Sequence, residues 1–394
     1  MKLTNESREG EPVDLTPSIK HKDITFRPVG YIPAFDGLRG VAVLAVMMFN
    51  SRVEFMLGGF IGVDIFFVLS GFLITLLLVQ GSYQSSRIDL RDFYFRRALR
   101  LFPALAALIL TCVAYALLFK PERPVIKPSG VLYTVFYLAN WAQAPPRSPG
   151  LGLLSHAWSL SVEEQFYIIW PVMLLVLLKL KSKHTIFLIL FSLIGISVFL
   201  NVWFWQTNVP YLRMYFGSDT RANEILIGCT TALLLSWGFF RPSDRLKVVF
   251  RLVALIGLLG ILVSLVMARY DGGFVYNGGF TLISIAAAIL ILDLVVFPSN
   301  LSRVFEFAPL VWVGRISYGL YLWHFPIFEV LRRFFEGRTN PVFYQVGACL
   351  ISFIAASVSY YFLEQPLLKF RRFFEKNESI DQLSSIPTRA VKNT

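Results

Sequence analysis

The stretch Ile186-Phe-Leu-Ile-Leu-Phe-Ser-Leu-Ile-Gly195 is apolar at odd and even positions alike. A transmembrane β-strand alternates lipid-facing apolar residues with polar ones, and this run does not. A helix needs about 20 apolar residues to cross the hydrocarbon core. Working outward, blocks of the same character lie near 36–57, 59–80, 98–119, 165–180, 184–205, 222–240, 248–269, 277–297, 310–330 and 342–364. The expected fold is an all-α polytopic membrane protein of about ten transmembrane helices.

Composition points the same way. Hydrophobic residues make up 56% of the 394 residues and charged residues 16%, against roughly 45–50% and about 25% in soluble domains. That excludes a soluble globular enzyme and a disordered chain. The net charge of +12 reads as basic cytoplasmic loops rather than nucleic-acid binding. Cys112, Cys229 and Cys349 lie inside apolar runs with neither disulfide nor metal spacing, so no metal site is expected.

Charge also sets the expected orientation. With ten spans, the basic loop Arg87–Arg100, the Lys179, Lys181, Lys183 run, the loop with Arg241, Arg245 and Lys247, and the stretch with Arg371 and Arg372 share one face. Positive loops face the cytoplasm, which puts both termini there. Arg332 and Arg333 fall outside, against the tendency. An eleventh span at Val131–Trp141 would invert the later loops. That run is therefore expected as a re-entrant or interfacial piece of a long extracytoplasmic loop, 120–164. The chain divides into a cytoplasmic N-terminal tail (1–34) without a signal peptide, a membrane domain (35–366) and a cytoplasmic C-terminal tail (367–394), with no internal repeat.

An ionisable group in the bilayer costs from about 2.5 kcal/mol upward, which makes each one a functional candidate. Arg39 and Asn50 stand close to three helical turns apart, on one face and about 16 Å from each other. Such a face suits a ligand with an anionic end at the cytoplasm and a reactive end at depth. Asp64, among bulky apolar residues, needs a cationic or donor partner, with Arg39, Arg96 or Arg97 as the candidates. Arg96, Arg97 and Arg100 share the start of a helix, and the planar guanidinium fork matches phosphate oxygens. His156, Trp158, Glu163 and Glu164 lead into a span, the two acids pointing about 100° apart. Arg221 and Glu224 open the sixth span, His324 lies within the ninth, and Glu364 closes the tenth.

The segments Phe35–Asn50, Gly59–Thr75, Phe93–Pro103, Ser155–Pro171, Asp219–Gly228, Gly314–Pro326 and Phe362–Pro366, in this order, resemble the acyltransferase-3 family of integral membrane O-acyltransferases. The resemblance covers about 35–366. It implies a bacterial inner-membrane enzyme that takes an acyl group, often acetyl, from cytoplasmic acyl-CoA. The acceptor would be a hydroxyl of a cell-envelope or exported glycan, lipid or small molecule. The family's first span carries Arg, ten residues, then a His taken as the catalytic base. Arg39 matches the arginine, whereas Asn50 occupies the histidine position. The family's Asp is replaced by Asn223, with Glu224 beside it to take over the charge. Some members carry an appended extracytoplasmic hydrolase-like domain, for which the chain after Pro366 is too short.

The expected site therefore has Arg39, Arg96, Arg97 and Arg100 on the coenzyme A phosphates. Asn50, Glu163, Asp64 and Glu364 are the catalytic candidates, and Glu164, His156, Trp158, Arg221 and His324 line the acceptor side. An amide has no useful basicity near neutral pH, so Asn50 can only position or polarise. Loss of general-base catalysis costs about 10²–10⁴-fold. Three outcomes follow: a substitute base among Glu163, Glu164, His156 and Asp64; an acyl-CoA-binding member that reacts very slowly; or an introduced change that traps a substrate state. A transporter is the competing class, although the two halves show none of the correspondence common in transporter folds.

Overall fold

The computed structural model describes residues 30–85, 90–120, 125–145, 148, 150–239, 244–297, 299–335 and 337–369. Most of both expected tails, and Arg87, Arg241, Arg371 and Arg372, lie outside the described residues.

The described residues are helical, with no strand among them. In chain order the helices are α1 Pro33–Asn50, α2 Gly62–Ser85, α3 Leu90–Phe119, α4 Pro128–Val135, α5 Ala139–Gln143, α6 Ala157–Lys179, α7 Lys183–Gln206 and α8 Tyr211–Phe216. There follow α9 Ser218–Ser236, α10 Asp244–Met267, α11 Phe280–Val296, α12 Asn300–Phe305, α13 Ala308–Arg315, α14 Ser317–Phe335 and α15 Pro341–Val358. Local chemistry sets several starts. Pro33 and Pro341 occupy first-turn positions, where a missing N–H costs nothing. Ser182 caps α7 by accepting the Thr185 N–H.

Seven of the helical segments are long and apolar enough to cross a bilayer: those containing α2, α3, α6, α7, α10, α11 and α15. The other three expected spans correspond to α1, α9 and the α13–α14 pair. These are less apolar because they carry the interior polar residues, among them Arg39, Arg221 and His324. Two boundaries differ from expectation in a way that matters. Helix α6 begins at Ala157, so Glu163 and Glu164 lie inside a helix and not in a loop leading to one. Helix α3 begins at Leu90, eight residues before the expected span near 98, and Arg96, Arg97 and Arg100 lie in its first turns, as their spacing implies. The Val131–Trp141 run forms α4 and α5, of eight and five residues, too short to cross. Both are tied to the bundle: Gln143 donates to the Ser155 carbonyl at 2.8 Å and Gln165 to Asn140 at 2.9 Å.

Helices α2 and α9 meet backbone to backbone. A methyl on Gly71 would collide with the Ile225 carbonyl, and one on Gly228 with the Val68 carbonyl. Small residues allow this close approach where lipid supplies no hydrophobic drive between helices. Beside the contact lies a sealed ion triad. Arg221 donates to Asp64 at 3.1 Å and faces Glu224 at 3.1 Å, and all three side chains are wholly buried. The Phe280 ring lies 3.9 Å beneath the guanidinium. Asp64 thus finds its cation on α9, not among Arg39, Arg96 and Arg97. Asp64 and Arg221, expected as a catalytic and a substrate-binding residue, are paired with each other inside the protein, with Glu224 as the third member. Glu224 lies against Arg221, while Asn223 turns away to Ser197 and Thr281.

Removing one member of a buried ion cluster strands the others, at about 3–5 kcal/mol, whereas replacing all members by apolar residues is often near neutral. Arg221→Met is expected to lower the thermal midpoint in detergent strongly. The triple replacement Asp64→Leu, Arg221→Met, Glu224→Leu is expected to recover most of the loss, as read by fluorescence-monitored unfolding.

Candidate functional site

A cavity of about 200 Å³ opens between α1, α2, α3, α6 and α14. Its wall carries three guanidinium groups, Arg39, Arg97 and Arg100, against one carboxylate, Glu163. Three of the four arginines read from the sequence are thereby brought together, although Arg39 and the other two lie on different helices. Arg96 does not join them. It points outward, half-exposed, and pairs with Asp92 one turn back on α3. The one-residue difference matters because neighbours on a helix point about 100° apart.

The two adjacent acids of α6 divide their tasks. Glu164 accepts from Arg97 Nε at 3.1 Å and, with the Tyr167 ring under the guanidinium, holds that arginine in place. Glu163 enters the cavity, where Ser70 Oγ donates to it at 2.8 Å. Glu364 is buried in a π-helical turn, Ser359–Glu364, and accepts from Ser359 at 3.1 Å. It is within electrostatic reach of Arg100 and Arg39 but is not in the cavity wall. Trp158, expected on the acceptor side, is buried against Tyr215, Phe216 and Phe67 and is not itself in the cavity wall.

Sequence reading missed the hydroxyl groups of the wall, among them Ser70, Ser159, Ser317, Tyr318 and Tyr321. A signal existed. Ser159, Glu163 and Tyr167 recur every fourth residue and so share one face of α6. Tyr321 hydrogen-bonds Ser159 and donates to the His156 carbonyl at 2.9 Å.

Asn50 lies beyond this wall. It lines a separate small cavity, about 10 Å³, with Ser51, Arg52, Glu329, Arg332 and Gln345 among its neighbours. The expectation of one cavity running from Arg39 to Asn50 is therefore corrected: Arg39 and Asn50 front two different cavities. Between them lie two histidines. The Asn50 side-chain nitrogen is 3.2 Å from His324 Nε2, and His324 Nδ1 is 2.9 Å from the Leu320 carbonyl oxygen. His156 is buried 5.9 Å from His324, ring centre to ring centre, beside the backbone of Leu153 and Leu322. Among the described residues no group of three or more His, Cys, Asp or Glu is arranged to hold a metal.

Residues 32–361 match an acyltransferase domain family. The peptidoglycan O-acetyltransferase OatA of Listeria monocytogenes is 36% identical over 88% of this chain and 58% of its own length. The O-acetyltransferase OatA of Staphylococcus aureus is 34% identical over 86% of this chain and 57% of its own length. The chain thus spans less than three fifths of the curated relatives it matches. No solved structure matches. With the arginine cavity and the ordered segments of the membrane domain, the match over 32–361 establishes that the chain belongs to the acyltransferase-3 family of integral membrane O-acyltransferases.

Proposed function

We propose that the chain transfers an acetyl group from cytoplasmic acetyl-CoA to a hydroxyl of a cell-envelope glycan in a bacterial plasma membrane. The observation that carries this reading is the convergence of Arg39, Arg97 and Arg100 on one cavity whose wall also holds the Ser70–Glu163 and Ser159–Tyr321 hydrogen bonds. Three fixed cations at a mouth suit a ligand with several phosphate charges, since charge-assisted bonds from arginine to phosphate are strong and directional. The volume of about 200 Å³ falls below the roughly 300–1,000 Å³ that encloses a drug-sized ligand. It fits the slender acyl-pantetheine arm, with the nucleotide left at the arginines. Ser317, in the same wall and with no protein partner for its hydroxyl, can donate to the thioester carbonyl, where negative charge develops on attack. Ser70 gives its one hydrogen to Glu163 and so fixes that carboxylate in the wall.

The acceptor follows from the relatives. The Listeria protein is named for peptidoglycan, and a glycan hydroxyl of that class is the acceptor assigned here. Basic residues at Lys179, Lys181 and Lys183, with the other basic loops, support ten spans and two cytoplasmic termini. A second reading has one observation in its favour: Asn50 lacks basicity, so the chain would bind acyl-CoA and leave it unconverted. Family membership favours either over a transporter.

Acetyl-CoA is expected to raise the thermal midpoint of the purified protein. A charged hydrogen bond is worth roughly 1.5–3 kcal/mol, so Arg39→Ala and Arg97→Ala should weaken the apparent affinity about 10–100-fold. Arg96→Ala should change it less than about threefold, because that side chain faces away; an equal loss at position 96 would contradict the cavity assignment. Bound acetyl-CoA that stays intact in the presence of glycan acceptor would select the second reading. A reporter fused after residue 394 is expected to read cytoplasmic.

A further inference from the structure

The hydrogen bonds around Asn50 determine where its hydrogens are. Its side-chain nitrogen lies 3.0 Å from the Val46 carbonyl oxygen as well as 3.2 Å from His324 Nε2. A carbonyl only accepts, so the atom facing Val46 must be the NH₂ group, and the amide cannot be turned round. On His324, Nδ1 faces the Leu320 carbonyl at 2.9 Å and must carry the proton. Nε2 is left with a lone pair, covered by the second Asn50 N–H. The imidazole is thus held in one tautomer, with its basic nitrogen aimed at position 50.

Location adds to this. His324 lies between the two cavities. Tyr321, one turn before it, is in the wall of the arginine cavity, and its ring is 5.7 Å from the His324 ring. Asn50 and Phe328, on the other side, line the small polar cavity at the far end of α1. At about 10 Å³ that cavity admits one hydroxyl-sized group. The neighbouring His156 is buried as well, at 5% exposure.

We propose that His324 is the general base of acyl transfer and that Asn50 is its positioning residue. The inference rests on the acetyl-transfer reading above. The acceptor hydroxyl enters by the small cavity and replaces the Asn50 N–H at Nε2. As its oxygen bonds to the thioester carbonyl carbon, its proton passes to Nε2. The tetrahedral adduct then breaks its C–S bond, releasing the ester and coenzyme A thiolate, and the imidazolium returns the proton to the thiolate. The base lost from position 50 is thereby found one side chain away, on α14.

The test measures alkali-released acetate ester in the envelope of cells lacking any chromosomal copy and expressing the chain or its variants at equal protein level. This readout does not depend on which donor is used; acetyl-CoA protection of the purified protein reports the donor separately. His324→Gln keeps a neutral side chain able to bond Asn50 but has no basicity, and is expected to lower ester formation about 10²–10⁴-fold with acetyl-CoA protection unchanged. His324→Ala should behave alike and regain activity in membrane vesicles supplied with imidazole. Asn50→Ala should lose only a few-fold. Parent-like activity of His324→Gln overturns the proposal, as does loss of folded protein in both His324 variants without imidazole rescue. Absence of ester from the parent itself overturns the base assignment and the acetyl-transfer reading together. Ester formation without acetyl-CoA protection overturns only the donor.

Discussion

A charge inside a lipid bilayer must be neutralised by protein, because water is not there to do it. Arg221 shows how far this constraint shapes the bundle. Its guanidinium is wholly buried and shared by Asp64 of α2 and Glu224 of α9. The two helices can meet around it only because Gly71 and Gly228 let the backbones touch. That contact fixes the rotation of α2. Asp64 must face α9, so Phe66, Ser70 and Leu73 face the other way, into the arginine cavity. The same need for neutralisation appears at the cavity mouth, where Glu164 and the Tyr167 ring hold Arg97. One arginine is thereby structural and another presentable to a ligand, and the difference is burial rather than residue type.

Helices were legible where apolarity runs long. The seven spans that satisfy length and hydropathy coincide with blocks visible in the sequence. Their starts were less legible, for a physical reason: a hydropathy pattern reports where lipid can be, not where helical hydrogen bonds begin. The polar first turns of α6, from Ala157, and of α3, from Leu90, are helical because they pack against protein. Both early starts bear site residues: Glu163 and Glu164 on α6, and Arg97 and Arg100 on α3.

The site was legible in its parts and not in its pairings. Arginine spacing on α3 marked a cationic face, and the four-residue step between Ser159, Glu163 and Tyr167 marked a wall. Which cation serves which acid depends on contacts between distant segments. Asp64 and Arg221 are 157 residues apart, and Asn50 and His324 are 274 apart. No local period encodes such a meeting. Arg96 illustrates the opposite limit: the sequence placed it beside Arg97, and one helical step turned it to an outward pair with Asp92.

The departure at position 50 takes on a different meaning in this setting. Read along α1 alone, an asparagine where the family has histidine is a missing base. Read across the bundle, its amide has one hydrogen committed to Val46 and one to His324. Both assignments are forced, since each partner atom can only accept. An asparagine is well suited to this position because it is short, uncharged and offers two donors. An aspartate would present acceptors to the Val46 carbonyl and to the His324 lone pair. Basicity and orientation, combined in one histidine in the family pattern, are thus divided here between two helices.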